Sequence, residues 1–217
     1  MAINADNFIL AKQIYIKEFN KIVSFINLSY LAMLSGKGKL QNNESFIRNK
    51  LHKDYLNNNT FRKLHKFKGF YFTCESNVIN NSYNTIGFTD LKVLNQSSFE
   101  DTDSTFIFEC KRLDGSNSLN ELYITQGIKR FVKNKYPTFN SMNGVIGFLV
   151  KKSIEKKCVK KINNLLITKF IEANTIKRLT LDTKFPSYYH SDHYKTPKES
   201  KKDIRLFHLF LDFSNSI

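Results

Sequence analysis

The chain has 217 residues, 41% of them hydrophobic and 14% aromatic, so it is long enough to close one good core and too apolar to be disordered. Thirty-four lysines and arginines stand against nineteen acids, a net charge of +15, and a surplus of this size is commonly the electrostatic footprint of a protein that meets nucleic acid. Three cysteines without a CxxC spacing argue against a disulfide scaffold or zinc ribbon, and no leader or membrane-length apolar run is seen, so a cytoplasmic protein with no membrane partner is expected.

Residues 6–35 read as helical, in one long helix or two short ones. Ile14, Phe19, Ile22, Phe25, Ile26 and Leu34 approximate an apolar stripe for core packing or a dimer seam, and Asp6 is the cap. Gly36-Lys37-Gly38-Lys39 lacks the GxxxxGK[ST] spacing and follows a helix, so it is read as a helix stop and basic turn. A second helix over 43–56 puts Glu44, Ile47 and Leu51 on one face. Glu44 is either an inward-facing acid or a first-turn acid favoured by the helix dipole. Beyond Asn57-Asn58-Asn59, a basic stretch holds Arg62, Lys63, His65, Lys66 and Lys68 with Phe61 and Phe67 between them. Such residues grip phosphates, or form a solvated loop with two core anchors.

Three strands follow, over about 69–76, 83–94 and 105–111, separated by polar turns at 80–82 and 95–104. On the third, alternation puts Ile107, Glu109 and Lys111 on one face and Phe106, Phe108 and Cys110 on the other. Glu109 and Lys111 then stand roughly 7 Å apart along the backbone, on a strand too apolar to be a solvated edge. The hairpin brings Asp90 against Glu109. Two close carboxylates repel unless a cation sits between them, and oxygen ligands of this kind suit Mg²⁺ or Mn²⁺. Lys111 beside them can orient a water or stabilise a charged phosphate. Glu75 is a rival acid, ranked below Asp90 because it sits near the turn. The reading without chemistry makes Glu109 and Lys111 a surface ion pair and Asp90 a turn residue.

A helix over 118–135 carries Ile124, Ile128, Phe131 and Val132 on its apolar face and Gln126, Arg130 and Lys133 on a polar one. Gly127 within it implies a close approach by another backbone. Residues 144–150 read as a strand buried on both faces and reached by a crossover, hence parallel to its neighbour. A basic amphipathic helix (153–173) and a strand (176–181) follow. The segment 186–194 contains His190, Asp192 and His193 without a fourth zinc ligand, and is read as a surface loop. An apolar strand over 205–213 completes the sheet. This order of elements gives an α/β protein, an α/β/α sandwich with a mixed central sheet, in one domain.

An acid on one strand, an acid-x-Lys on the antiparallel next strand and a Gln in the following helix resemble the PD-(D/E)XK, or restriction-endonuclease-like, nuclease superfamily. Asp90 matches the first acid, Glu109-Cys110-Lys111 the acid-x-Lys, and Gln126 the glutamine, over about residues 44–150; Thr89 stands where the pattern has Pro. The resemblance implies a restriction endonuclease-like fold and a metal-dependent endonuclease acting on nucleic acid, DNA before RNA, in restriction or phage defence. Asp90 and Glu109, with Glu44, would hold Mg²⁺ or Mn²⁺, and Lys111 would help position or activate the attacking water. Gln126 would orient that water or Lys111. Arg130, Lys133, Arg62 and Lys63 are the candidate nucleic-acid contacts, and a homodimer or partner protein would supply specificity. The alternatives are a nucleic-acid-binding or assembly subunit that does not cut, and an RNA-cleaving nuclease.

Overall fold

The computed structural model describes residues 5–36, 38–79, 82–96, 105–136, 142–183, 188–196 and 203–217, with side chains from residue 13 onward. The predicted turns at 80–82 and 95–104 and the start of the 186–194 segment lie partly outside them. Strands β1 (Phe70–Ile79), β2 (Thr85–Asn95) and β3 (Thr105–Leu113) form an antiparallel meander. Strand β4 (Met142–Leu149) runs parallel to β3, and β7 (Asp203–Asp212) runs parallel to β4 on its other side. Antiparallel β6 (Tyr189–Tyr194) and β5 (Thr175–Leu181) complete a seven-stranded mixed sheet of order β1-β2-β3-β4-β7-β6-β5. Every residue of β4 is buried, because it has a strand on either side and helices over both faces.

One face is covered by α1 (Ala5–Ser35), a single long helix, and α2 (Glu44–Leu51). Tyr15, Phe19, Ile22 and Ile26 pack there with Phe106, Phe108 and Cys110. The stripe falls on Tyr15 and not on Ile14, which is exposed, and Asp6 lies inside the first turn. No described helix is long and apolar enough to cross a membrane. The other face carries α4 (Asn117–Tyr123), a π-helical turn (Ile124–Ile128), α5 (Lys129–Val132) and α6 (Glu155–Thr168), packed on Ile107, Leu113, Val145 and Leu206. The predicted alternation on β3 is therefore the one observed, with each set of residues meeting a different helical layer. Close to its centre, a Cβ on Gly144 would come within 2.3 Å of Phe108 Cδ1, so this ring lies against bare β4 backbone.

Two segments differ from expectation. Residues 59–64 form a short helix, α3, because the Asn58 side chain accepts the Phe61 amide and caps it. The histidine-rich segment is an internal strand, β6, rather than a surface loop. Ser191 and His193 are buried because they join a hydrogen-bond relay with His208 of β7. The Tyr123 hydroxyl donates to His208 Nδ1 (2.9 Å), and His208 Nε2 donates to Ser191 Oγ (2.7 Å). Ser191 donates in turn to His193 Nε2 (2.7 Å), and His193 Nδ1 donates to the Ala173 carbonyl (2.9 Å). A carbonyl can only accept, so this direction satisfies every group with both imidazoles neutral.

Burial pushes the His193 imidazole down to about 4 and His208 well below its ordinary range. As pH falls, the unfolded chain takes up the proton first, so stability present above about 6.5 is lost toward 4. For His193 the loss is on the order of 2–3 kcal/mol by pH ~4.5. Urea unfolding at about pH 7.5 and 4.5 should show His193→Gln with a smaller pH-dependent loss than wild type; an unchanged loss would place the proton uptake elsewhere.

Candidate active site

The pairing of β2 with β3 runs from Leu94↔Thr105 to Leu91↔Phe108 and stops there. Beyond that point a side chain replaces the ladder: Asp90 Oδ2 accepts the Cys110 amide at 2.8 Å. Glu109 and Lys111 flank this amide on β3, so the end of the ladder gathers two acids and an ammonium. Glu44, in the first turn of α2, is aimed here by the Asn43 cap, whose side chain accepts the Phe46 amide. Glu44 Oε2 accepts the Arg112 amide at 2.6 Å.

Lys111 Nζ is the centre of the cluster. It lies 2.6 Å from the Cys110 carbonyl oxygen, 2.9 Å from Glu109 Oε1, 3.2 Å from Glu44 Oε1 and 3.5 Å from Asp90 Oδ2. Gly127, nearby, leaves room for Val145, whose Cγ1 would lie 3.2 Å from a Cβ there, while Lys111 Cγ would be in ordinary contact with it at 3.9 Å. The approach expected at Gly127 is thus made by side chains, not by another backbone.

Two guanidinium groups brace the acids from outside. Arg48, one helical turn after Glu44, donates to Asp90 Oδ1 at 2.5 Å and to Glu75 Oε1 at 2.6 Å. Arg130 Nη1 lies 2.5 Å from Glu109 Oε1 and 2.7 Å from the Tyr136 hydroxyl. That hydroxyl is 2.8 Å from Glu109 Oε2 and 2.9 Å from the Phe88 carbonyl, with one proton to give them. When Glu109 is protonated it donates to Tyr136, which is then free to donate to Phe88, and all three groups are satisfied.

The electrostatics agree with that geometry. Glu109 is fully buried, and burial, aided by the Asp90 charge, pushes its carboxyl up to about 7 against the opposing pull of Lys111 and Arg130. Burial also acts on Asp90, but Lys111, the Cys110 amide and Arg48 outweigh it and hold this carboxyl below its usual range. Burial opposes the charge on Lys111, yet Glu109, Asp90 and Glu44 overcome it and raise its pKa, so the side chain stays an ammonium. The Glu44 and Glu75 side chains are 32% and 60% exposed, so the site opens to solvent past α2 and β1, with Glu109 at its floor.

The structure brings together Asp90, Glu109, Lys111, Glu44 and Arg130. It leaves Gln126 and Lys133 exposed, with no described hydrogen bond to the cluster. The π-helical turn is the cause: its i→i+5 bonding shifts the register between Gln126 and Arg130, so the two no longer share a face. Lys63 is exposed on α3. Arg62 is turned inward, donating to the carbonyls of Leu56 and Phe70. Arg48 and Tyr136 were not singled out by sequence reasoning. Arg48 had a legible signal, four residues after Glu44 and on the same side as Ile47 and Leu51. Tyr136 had none, because its place depends on how the helix ends.

Among the described residues, no three Asp, Glu, His or Cys side chains stand as a metal cage. The carboxylates that come together are drawn onto the ammonium of Lys111. Four oxygens, three of them from carboxylates, stand around that one ammonium; oxygen donors are the class that Mg²⁺ and Mn²⁺ take. Comparison of the chain with protein-family models, with curated proteins and with solved structures finds no match.

Proposed function

We propose that the chain is a metal-dependent phosphodiesterase acting on nucleic acid, DNA before RNA, on a restriction-endonuclease-like fold. The observation that carries this is the convergence of Glu44 Oε1, Asp90 Oδ2, Glu109 Oε1 and the Cys110 carbonyl on one cation where β2 and β3 part. These four groups would hold Mg²⁺ or Mn²⁺. When bound, such an ion polarises a phosphoryl oxygen and acidifies a coordinated water.

The protein's own groups divide the remaining work. Lys111, held as an ammonium, is a hydrogen-bond donor to phosphate or water and not a general base. Arg130 is a quarter exposed and keeps donors for a phosphate beside Glu109. Glu109 gives up its proton before it can act as a ligand, so metal affinity rises with pH through about 7.

Labelled linear, circular and single-stranded DNA, and RNA, incubated with Mg²⁺, Mn²⁺ or EDTA should be cut by wild type only with metal. Asp90→Ala should abolish the cutting. Metal-independent cutting, or a fully active Asp90→Ala, would sink the reading. A second reading is favoured by the braces: Arg48 and Arg130 already occupy oxygens of Asp90 and Glu109. On it the protein binds nucleic acid without cutting, and binding weakens with salt whether or not a divalent ion is present.

A further inference from the structure

A groove of about 790 Å³ lies between α1 and the turn that joins α3 to β1. Basic side chains stand on both of its walls, among apolar residues such as Ile16, Leu28 and Phe70. Lys17 and Lys21, one turn apart on α1, face His65, Lys66 and Lys68. All four lysines are exposed, and among the described residues no Asp or Glu lines the groove and none of the four has an acidic partner.

The turn that carries Lys66 and Lys68 is tightly built. Phe67 donates its amide to the Arg62 carbonyl (2.9 Å) and Lys66 donates to Lys63 (3.1 Å), the paired closure of a helix C-terminus. This closure puts Lys66 in the left-handed region, at φ 52°, where glycine is the usual residue. A lysine there costs conformational energy and returns a cation on the groove wall. Phe67 stacks on Phe25 with ring centroids 3.9 Å apart, and the Arg62 guanidinium lies over Phe67 while donating to two carbonyls. Arg62 is therefore the brace of this turn, and Lys66 and Lys68 are the free cations. Because Phe67 is engaged by Phe25 and Arg62, the groove offers ammonium groups rather than a ring for base stacking.

Strand β1 runs from the groove to the acids. Phe70, on its floor, and Glu75, paired with Arg48, are five residues apart on β1, roughly 17 Å at about 3.4 Å per residue. A nucleic-acid strand covers that span in about five nucleotides. We infer that this groove holds the sugar-phosphate backbone of a nucleic acid strand by ionic contacts blind to base sequence. The inference deepens the proposed function and rests on it for the class of ligand.

The test is anisotropy of labelled single-stranded DNA, duplex DNA and RNA, each long enough to reach from the groove to the acids, measured in EDTA over a range of salt. Lys66→Glu with Lys68→Glu, and Lys17→Glu with Lys21→Glu, should each weaken binding at least about tenfold. They should also lower the slope of log affinity against log salt by about 1.4 to 1.8, the value for two lost phosphate contacts. The same charge change on α6, Lys156→Glu with Lys160→Glu, should cost less than about threefold. Lys66→Gly removes the charge and the left-handed strain together, so it should raise Tm while weakening binding, which separates lost contact from lost folding. Equal losses in the groove and α6 pairs, or no loss in the groove pairs, overturn the inference. Groove-dependent binding by a protein that never cuts with Mg²⁺ or Mn²⁺ removes the nuclease reading and leaves the groove; metal-dependent cutting without groove dependence does the reverse.

Discussion

Lys111→Ala should lower metal-dependent cleavage by about 10²- to 10³-fold, the usual range for loss of one positioned donor. The same change should unsettle the apo protein. Glu44, Asp90 and Glu109 would face one another without the cation that now separates them, and breaking a buried pair on one side costs about 3–5 kcal/mol. A divalent ion should restore part of this. Mn²⁺ should therefore raise the Tm of Lys111→Ala by more than it raises that of wild type, where metal must first displace the ammonium. That readout does not depend on turnover. If Mn²⁺ leaves the Tm of both proteins unchanged, the four oxygens are not a metal site and the non-cutting reading gains.

Arg48→Ala should destabilise the fold by about 3–5 kcal/mol, although it lies outside the acid-x-Lys pattern. Its side chain is 5% exposed, and it supplies one of the cations that keep Asp90 ionised inside the protein. The Glu75 side chain, at the other end of the same guanidinium, is 60% exposed, so Glu75→Ala should cost less than about 1 kcal/mol. Urea unfolding of Arg48→Ala, of Asp90→Ala and of the double variant closes the cycle for that pair. Coupling above about 1 kcal/mol between Arg48 and Asp90 is expected. A loss below that for Arg48→Ala would mean that water screens the pair, contrary to its burial.

Sequence and structure part at identifiable places. The site lies on β2 and β3, whose order and alternation were legible because a strand's period of two is a local property: Ile107, Glu109 and Lys111 against Phe106, Phe108 and Cys110 needs no knowledge of the rest of the chain. The buried run of β4 was legible from its unbroken apolar composition, and the face of α2 that carries Glu44 from helical spacing, both equally local. The histidine strand β6 was not. Its polar residues look like a loop until Tyr123, Ala173 and His208, all distant in sequence, supply their hydrogen bonds. Gln126 and Arg130 shared a face on paper and not in the protein, since an ideal helical period cannot foresee a π-helical turn.

By itself the sequence determined the periodic elements, the excess of cations and the candidate acids, all of which follow from residue types within a few positions of one another. Tertiary structure decided the seven-strand order, the point at which β2 leaves β3, and the partners of each acid: Arg48 for Asp90, Arg130 and Tyr136 for Glu109, and Lys111 for three carboxylates at once. Apart from Glu109 and Lys111, neighbours on β3, those contacts join residues 21 to 67 positions apart, and burial sets their strength. A carboxylate's charge state in a low-dielectric interior depends on which cations the fold brings within a few ångströms, and local pattern holds no record of that distance.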